Sequence, residues 1–477
     1  MELPRIIQGG MGVAVSNWKL ANAVSRLGGL GVFSGTGLDL VFVRRLQDGD
    51  PGGHLRRVMR DFFDQGLVAQ ALEKFFIEGG RAPDQKYKSP GMHRVDAPRD
   101  LLRITVLANF CEARLAREGH KGVVGINLLE KIQLPNMASM YGAMLGGVSF
   151  VLMGAGIPSQ IPGILDKLAQ NESTCMRIPV DDPKGDGSVD VLFDPAALFD
   201  PLPPAPARPQ FLAIISSFVL AQALQKRANG EINGWVVERH TAGGHNAPPR
   251  GAMRKNEIGE PIYGERDEMD FDKLRTLGLP FWLAGGAGKP EALRRALDLG
   301  GQGIQVGTAF AFCEDSGLLP EIRRAVLDRV VRGEASVYTD PVASPTGFPF
   351  KVVNHPGTMS EAEVYAERDR ICDLGYLRSV YRKEDGTLGY RCASEPIDDY
   401  LKKGGLLEDT VGRKCLCNGL AASVGIGQPR KDGKRELPIL TAGDDVVNLA
   451  PFFKDGSTSY TAEDVMRYLL AGELAPV

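Results

Sequence analysis

The sequence predicts an α/β chain folded as a closed (β/α)8 barrel, with a helical insertion after the second strand and an α-rich C-terminal extension. Three observations lead there. Short apolar runs alternate with segments of helical spacing along most of the first 330 residues, which is the rhythm of a parallel sheet. Eight such runs can be counted. The last two, Pro280–Ala284 and Gly303–Val306, end in glycine-rich turns (Gly285, Gly286 and Gly288; Gly307-Thr308) that open helices. Paired turns after strands seven and eight form the phosphate seat of such a barrel. Glycine lets the main chain approach an anion, and helix N-termini favour it. An open doubly wound sheet shares the local pattern, but the paired turns decide for the barrel.

Strand one is read within Pro4–Gly12, where Ile6 and Ile7 run into Gly9-Gly10-Met11-Gly12. A helix over Trp18–Leu27 stops at Gly28 and Gly29, and strand two, Leu30–Phe33, closes on Ser34-Gly35-Thr36-Gly37. Residues 39–119 interrupt the alternation with helical patterns over Leu38–Leu46, Leu55–Ile77 and Leu101–Arg117 around a polar loop. Strand three, Gly122–Leu128, carries Asn127; strand four is Val148–Met153, and helices are read at Met137–Leu145 and Ile161–Leu168. Residues 171–209, acidic and then proline-rich, read as a surface excursion running along the barrel. Phe211–Ile215 and Trp235–Glu238 are strands five and six, with a helix over Val219–Asn229 between them. Residues 1–330 are thus assigned to the barrel. Residues 331–477 form an extension packed on it, with an acidic helix at Glu361–Arg370.

Of the 477 residues 43% are hydrophobic and 24% charged, as in a soluble globular chain. A net charge of −3 offers no field for nucleic acid or an anionic membrane. The most apolar stretch, Gly142–Ile157, is too short and glycine-broken to span a bilayer. No export signal is read after Met1, and with seven cysteines the expectation is reduced thiols in a cytoplasm. Four of them, Cys372, Cys392, Cys415 and Cys417, fall in the extension. Four thiolates suit zinc or an iron–sulfur centre, but Cys-x-Cys is an unusual zinc spacing and the other two are isolated. They are read as buried unliganded thiols, and no metal ligand is assigned. Cys111, Cys175 and Cys313 read as core or helix residues.

Three stretches carry a resemblance: Ile7-Gln8-Gly9-Gly10-Met11-Gly12, Ala242-Gly243-Gly244-His245, and Ala284-Gly285-Gly286 with Gln305-Val306-Gly307-Thr308. In order and spacing they resemble the nitronate monooxygenase (2-nitropropane dioxygenase) family of FMN-dependent TIM barrels, relatives of the flavin-dependent enoyl-acyl-carrier-protein reductases. The likeness covers residues 4–318 without the two interruptions. It implies FMN, with its phosphate on the N–H groups of Gly285, Gly286, Gly307 and Thr308 and the Thr308 hydroxyl as a further donor. The ring would lie beside Gly10, Met11 and Gly12, with Asn127, Gly243, Gly244 and Gln305 completing the site. Glu238 stands where relatives commonly carry a glutamine, and an ionised carboxylate there could only accept.

His245 is the implied catalytic residue, at the C-terminal end of a strand, where an ordinary imidazole can take or give a proton near neutral pH. The family's usual glycine two positions later is missing, and Thr241 replaces a glutamate. Arg250 follows in the loop as a candidate fork for an anionic substrate. The expected activity is oxidation of a small nitronate-like molecule with reoxidation of the flavin by oxygen. The alternatives are an NAD(P)H-dependent enoyl-thioester reductase, standing alone or in a fatty-acid or polyketide synthase, and a non-catalytic FMN-binding subunit. The partners expected are a small-molecule substrate and either a second copy of the chain or a synthase.

Overall fold

The computed structural model describes residues 2–182, 184–454 and 456–474. The eight apolar runs become β1 (Ile6–Gln8), β2 (Leu30–Ser34), β3 (Val124–Leu129), β4 (Phe150–Gly154), β5 (Gln210–Ile215), β6 (Gly234–Glu238), β7 (Phe281–Ala284) and β8 (Gly303–Val306). Each pairs in parallel with its sequence neighbours, and β1 closes the barrel on β8 through Ile6–Ile304 and Gln8–Val306. Side chains alternate across a strand. One set therefore fills the interior, where Ile7, Val32, Leu152, Leu212, Val236 and Trp282 form a cluster with almost no exposure. The other set packs outward on the helices. The Trp282 indole N–H donates to Pro4 O at 2.8 Å and seals the lower end.

Between β1 and β2, the helix Trp18–Arg26 starts where the Asn17 side chain accepts from the amides of Lys19 and Leu20. The insertion after β2 is helical as expected, but the long pattern over residues 55–77 is broken into His54–Met59 and Gln65–Phe75. Asp64 causes the break: its carboxylate accepts from the Leu67 amide, which starts a new helix. The long helix Arg99–Ala116 then packs against the helix Trp18–Arg26 and the insertion's first two helices.

Two segments outside the barrel hold strands that the sequence reading did not assign. Thr174–Asp182 and Gly185–Phe193 form an antiparallel hairpin, with Met176, Ile178 and Val180 turned inward and Cys175, Arg177 and Pro179 outward. Cys175 is accordingly exposed, not a core or helix residue. The extension carries more helix than strand, as expected, but it also holds strands. Its strands Ser379–Arg382 and Leu388–Arg391 join that hairpin in a four-stranded sheet, and Val337–Asp340 pairs with Phe350–Val353. The acidic helix shrinks to Ala362–Ala366, and only Ala462–Leu474 is long. Short strands and loops suit a segment whose course is set by the surface it covers. It returns to the barrel mouth three times, at Phe350, at Leu420 and at Thr441–Asp445. No helix among the described residues is long and apolar enough to cross a membrane.

Candidate active site

The C-terminal ends of the strands surround a cavity holding about 1220 Å³ of empty space, partly open to solvent. Gly10, Met11 and Gly12 border it after β1, Asn127 from β3 and Glu238 from β6. Gly243, Gly244 and His245 follow from the next loop. Gly285, Gly286, Gln305, Gly307 and Thr308 close the circle. Residues more than 290 positions apart in sequence thus meet around one space. Arg250 is not among them. It is exposed on the rim of a second cavity that shares Ala155, Ile214, Glu238 and His245 with the first, and its amide donates to Asp267 at 2.8 Å. His240 stacks flat on Tyr263 in that second cavity, at 4.1 Å between ring centres.

The glycines of the motifs divide into two kinds. A Cβ on Gly10 would stand 2.2 Å from Asn127 Cβ, and one on Gly243 would stand 2.7 Å from the Ala442 carbonyl carbon. Those two are glycines because protein packs on them. Gly244 is likewise held by protein: its N–H donates to Thr441 Oγ1 at 2.7 Å and its carbonyl accepts from Lys351 N–H at 2.9 Å. Gly286 and Gly307 differ. Their added Cβ atoms would meet only Thr241 Oγ1 at 3.6 Å and Met11 Sδ at 3.4 Å, so the main chain there faces space. Gly286 also has φ +65°, a backbone shape few other residues adopt.

Electrostatics depart from the sequence reading at three residues. Burial drives the His245 imidazole down to about 4, so it is neutral at pH 7 and not poised near neutrality. Its Nε2 shares a 2.7 Å hydrogen bond with Ser344 Oγ, and the Phe350 ring packs on it edge-on at 4.9 Å. Burial also pushes the Glu238 carboxyl up to about 8. Glu238 therefore keeps its proton at pH 7 and can donate, contrary to the expectation of an acceptor-only carboxylate. A protonated glutamate has the shape and donor–acceptor pattern of the glutamine it replaces.

The third departure is Asp445, from the extension. Its carboxyl accepts from the Thr308 hydroxyl and the Gly288 amide, and burial holds it above the usual carboxylate range, with Asp444 beside it adding to the effect. The Thr308 hydroxyl, expected to serve a phosphate, is thus engaged by Asp445 and also accepts from Gly443 N–H at 3.0 Å. Sequence reasoning missed Ser344, Phe350, Thr441 and Asp445. The available signal was Thr441-Ala442-Gly443-Asp444-Asp445, a small-residue turn with two acids, standing far from any barrel strand.

FMN can be tested against these residues. Gln305 Oε1 and Thr241 Oγ1 are buried polar atoms without a hydrogen-bond partner. Gln305 borders the cavity, and Thr241 lies against its Gly285–Gly286 turn. Buried orphans of this kind ask for a ligand. The open amide turn at Gly286 and Gly307 suits a phosphate, and the neutral Glu238 can both donate and accept. The residues fit the group, with Asp445 crowding the phosphate end.

No family profile matches the chain, and no curated protein matches it either. Among solved structures, FabK from Thermotoga maritima is similar at 15% identity and a TM-score of 0.49, over 99% of this chain and 93% of that one. Nitroalkane oxidase from Streptomyces ansochromogenes is similar at 14% identity and a TM-score of 0.45, over 99% and 97%. The enoyl reductase domain of MlnA, from the macrolactin biosynthesis cluster of Bacillus amyloliquefaciens, is similar at 11% identity and a TM-score of 0.49, over 98% and 94%.

Proposed function

We propose that this chain is an FMN-dependent oxidoreductase acting on a small nitronate-like substrate, with oxygen as the final electron acceptor. The observation that carries the reading is the meeting of all three motif stretches, His245 and Glu238 around one cavity at the barrel mouth. FMN bound there would supply the electron chemistry, taking a pair from the substrate and passing it to oxygen. The amides of Gly286 and Gly307 would hold its phosphate, while Gln305, Asn127 and the neutral Glu238 would meet polar edges of its ring. A nitronate has already lost its acidic proton, so a strong base is not needed beside it. The neutral His245, fixed by Ser344, would orient the substrate by hydrogen bonding, and Arg250 at the rim would attract its negative charge.

A second reading has one observation in its favour. Reduction of an enoyl thioester requires a proton donor for the carbon skeleton, and a carboxyl near 8 is tuned for that work at neutral pH. Glu238 borders both cavities. Anaerobic titration of the FMN-loaded protein separates the readings. Bleaching by an alkyl nitronate and indifference to NADPH supports the oxidase. The reverse supports the reductase. Colourless protein after incubation with FMN sinks both.

A further inference from the structure

The four cysteines of the extension come from three separated stretches of sequence, yet Cys372, Cys392, Cys415 and Cys417 line one small pocket with about 250 Å³ of empty space. Cys392 and Cys415 are buried, and the other two are half-buried. Cys372, Cys392 and Cys415 all lie near enough to Cys417 for their charges to act on it.

Three of the sulfurs already receive donors. The Leu377 amide points at Cys417. The Ser394 amide points at Cys392, whose Sγ is also 3.2 Å from the Ser394 hydroxyl. Cys415 is met by the Asn418 amide, and by Asn418 Nδ2 at 3.4 Å. Burial holds all four thiols above their ordinary range, so a metal must displace their protons, and donors converging on sulfur would then tune the metal–sulfur centre. Arginines stand behind them. Arg370 donates to Ala393 O at 3.2 Å and Thr410 O at 2.8 Å, while Arg378 and Arg368 act on Cys372 and Cys415. The acidic neighbour Glu395 is tied to Lys403 at 2.7 Å.

Among the described residues no three His, Cys, Asp or Glu side chains are placed to share a single metal ion. A cubane takes one thiolate on each of four irons, so it needs four thiols around one space, and this pocket supplies four. We propose that Cys372, Cys392, Cys415 and Cys417 bind a [4Fe–4S] cluster. It lies behind the wall of the main cavity: Cys417 shares the helix Leu416–Ser423 with Leu420, which borders that cavity, and Pro345 of the cysteine pocket adjoins Ser344, the partner of His245. The assignment stands on the thiols and not on what the barrel cavity binds.

The full chain, purified anaerobically and reconstituted with ferrous iron and sulfide, is assayed for iron, zinc and acid-labile sulfide, and by electron paramagnetic resonance after dithionite reduction. Four irons and four sulfides per chain, with the signal of a reduced cluster, are expected. Cys372→Ser and Cys417→Ser lose at least half of both, while Cys175→Ser, exposed on the hairpin, keeps them. Stoichiometric zinc without sulfide, two irons per chain, four titratable thiols in metal-free protein, or unchanged iron in the two variants would each overturn the assignment. The wild-type measurement decides the question should either variant fail to fold.

Discussion

Glu238→Gln converts the burial of one carboxyl into a measurable slope of stability against pH. The folded-state value of about 8 stands above the ordinary 4.5, so between them the folded chain keeps a proton that the unfolded chain has released. Stability therefore falls as pH rises through this window. The penalty is absent below about 4.5, grows across the interval and levels off above about 8. The interval of about 3.5 units sets an upper bound of about 5 kcal/mol at 1.36 kcal/mol per unit. Glu238 borders the cavity, where water screens part of the charge, so roughly 2–3 kcal/mol is expected. Glutamine keeps the neutral shape and cannot ionise. Urea unfolding of the two cofactor-free proteins should give nearly equal stability at about pH 5. At about pH 8.5 the variant should be more stable by roughly 2–3 kcal/mol. Parallel curves across that range would refute both the burial of the charge and the donor role built on it.

Four further outcomes are expected. His245→Ala should keep its flavin and lose turnover by roughly 100-fold or more. With His245 at about 4, the wild-type rate should show no histidine step near neutrality, and a step near ~6.5 in a pH–rate profile would contradict this. Gly286→Asp and Gly307→Asp should each abolish flavin binding by placing a carboxylate in the open amide turn, and normal flavin absorbance in both would show the phosphate seat to be elsewhere. Asp445→Asn removes a carboxyl from the phosphate end, so FMN affinity from fluorescence titration should tighten by about tenfold, or about 1.4 kcal/mol. Weaker binding would mean that Asp445 helps to hold the ligand.

The barrel was legible because its strands are short, apolar and separated by glycine turns, signals that survive without tertiary context. Apart from Ala242, Gly243, Gly244 and His245, which sit in the loop after β6, the motif residues lining the cavity come from such strand ends. The hairpin at Thr174–Phe193 had its own period-two signal in Met176, Ile178 and Val180. Pro179 obscured it, since a proline argues against a strand until its side chain is known to face out. The ionisation of Glu238 and His245 could not be read at all. Both values are set by burial, which no local pattern reveals, and for His245 part of it comes from Phe350, packed on its ring from 105 residues away. Asp445 was hidden for the same reason: nothing local marks an acid that folds back onto the turn of another strand.

That return of the extension changes what the motif glycines mean. In sequence, Gly10, Gly243, Gly286 and Gly307 look alike, and all four can be assigned to a cofactor. In space, Gly10 is filled by Asn127 and Gly243 by Ala442 and Gly443, so any side chain there collides with protein before it meets a ligand. Gly244, Gly286 and Gly307 leave a Cβ position open beside the cavity, and of these Gly244 already has its N–H and carbonyl bonded to protein. A glycine motif therefore records two pressures at once, the fit of a ligand and the fit of the segment that closes over it. Here the closing segment brings its own anion, Asp445, to the place where the ligand's anion would go. With FMN bound as proposed, the phosphate end of the site would be governed by a residue outside the barrel. Loop 441–445 and the turns after β7 and β8 act as one structure, and a change in either is felt by the other through the Thr308 hydroxyl.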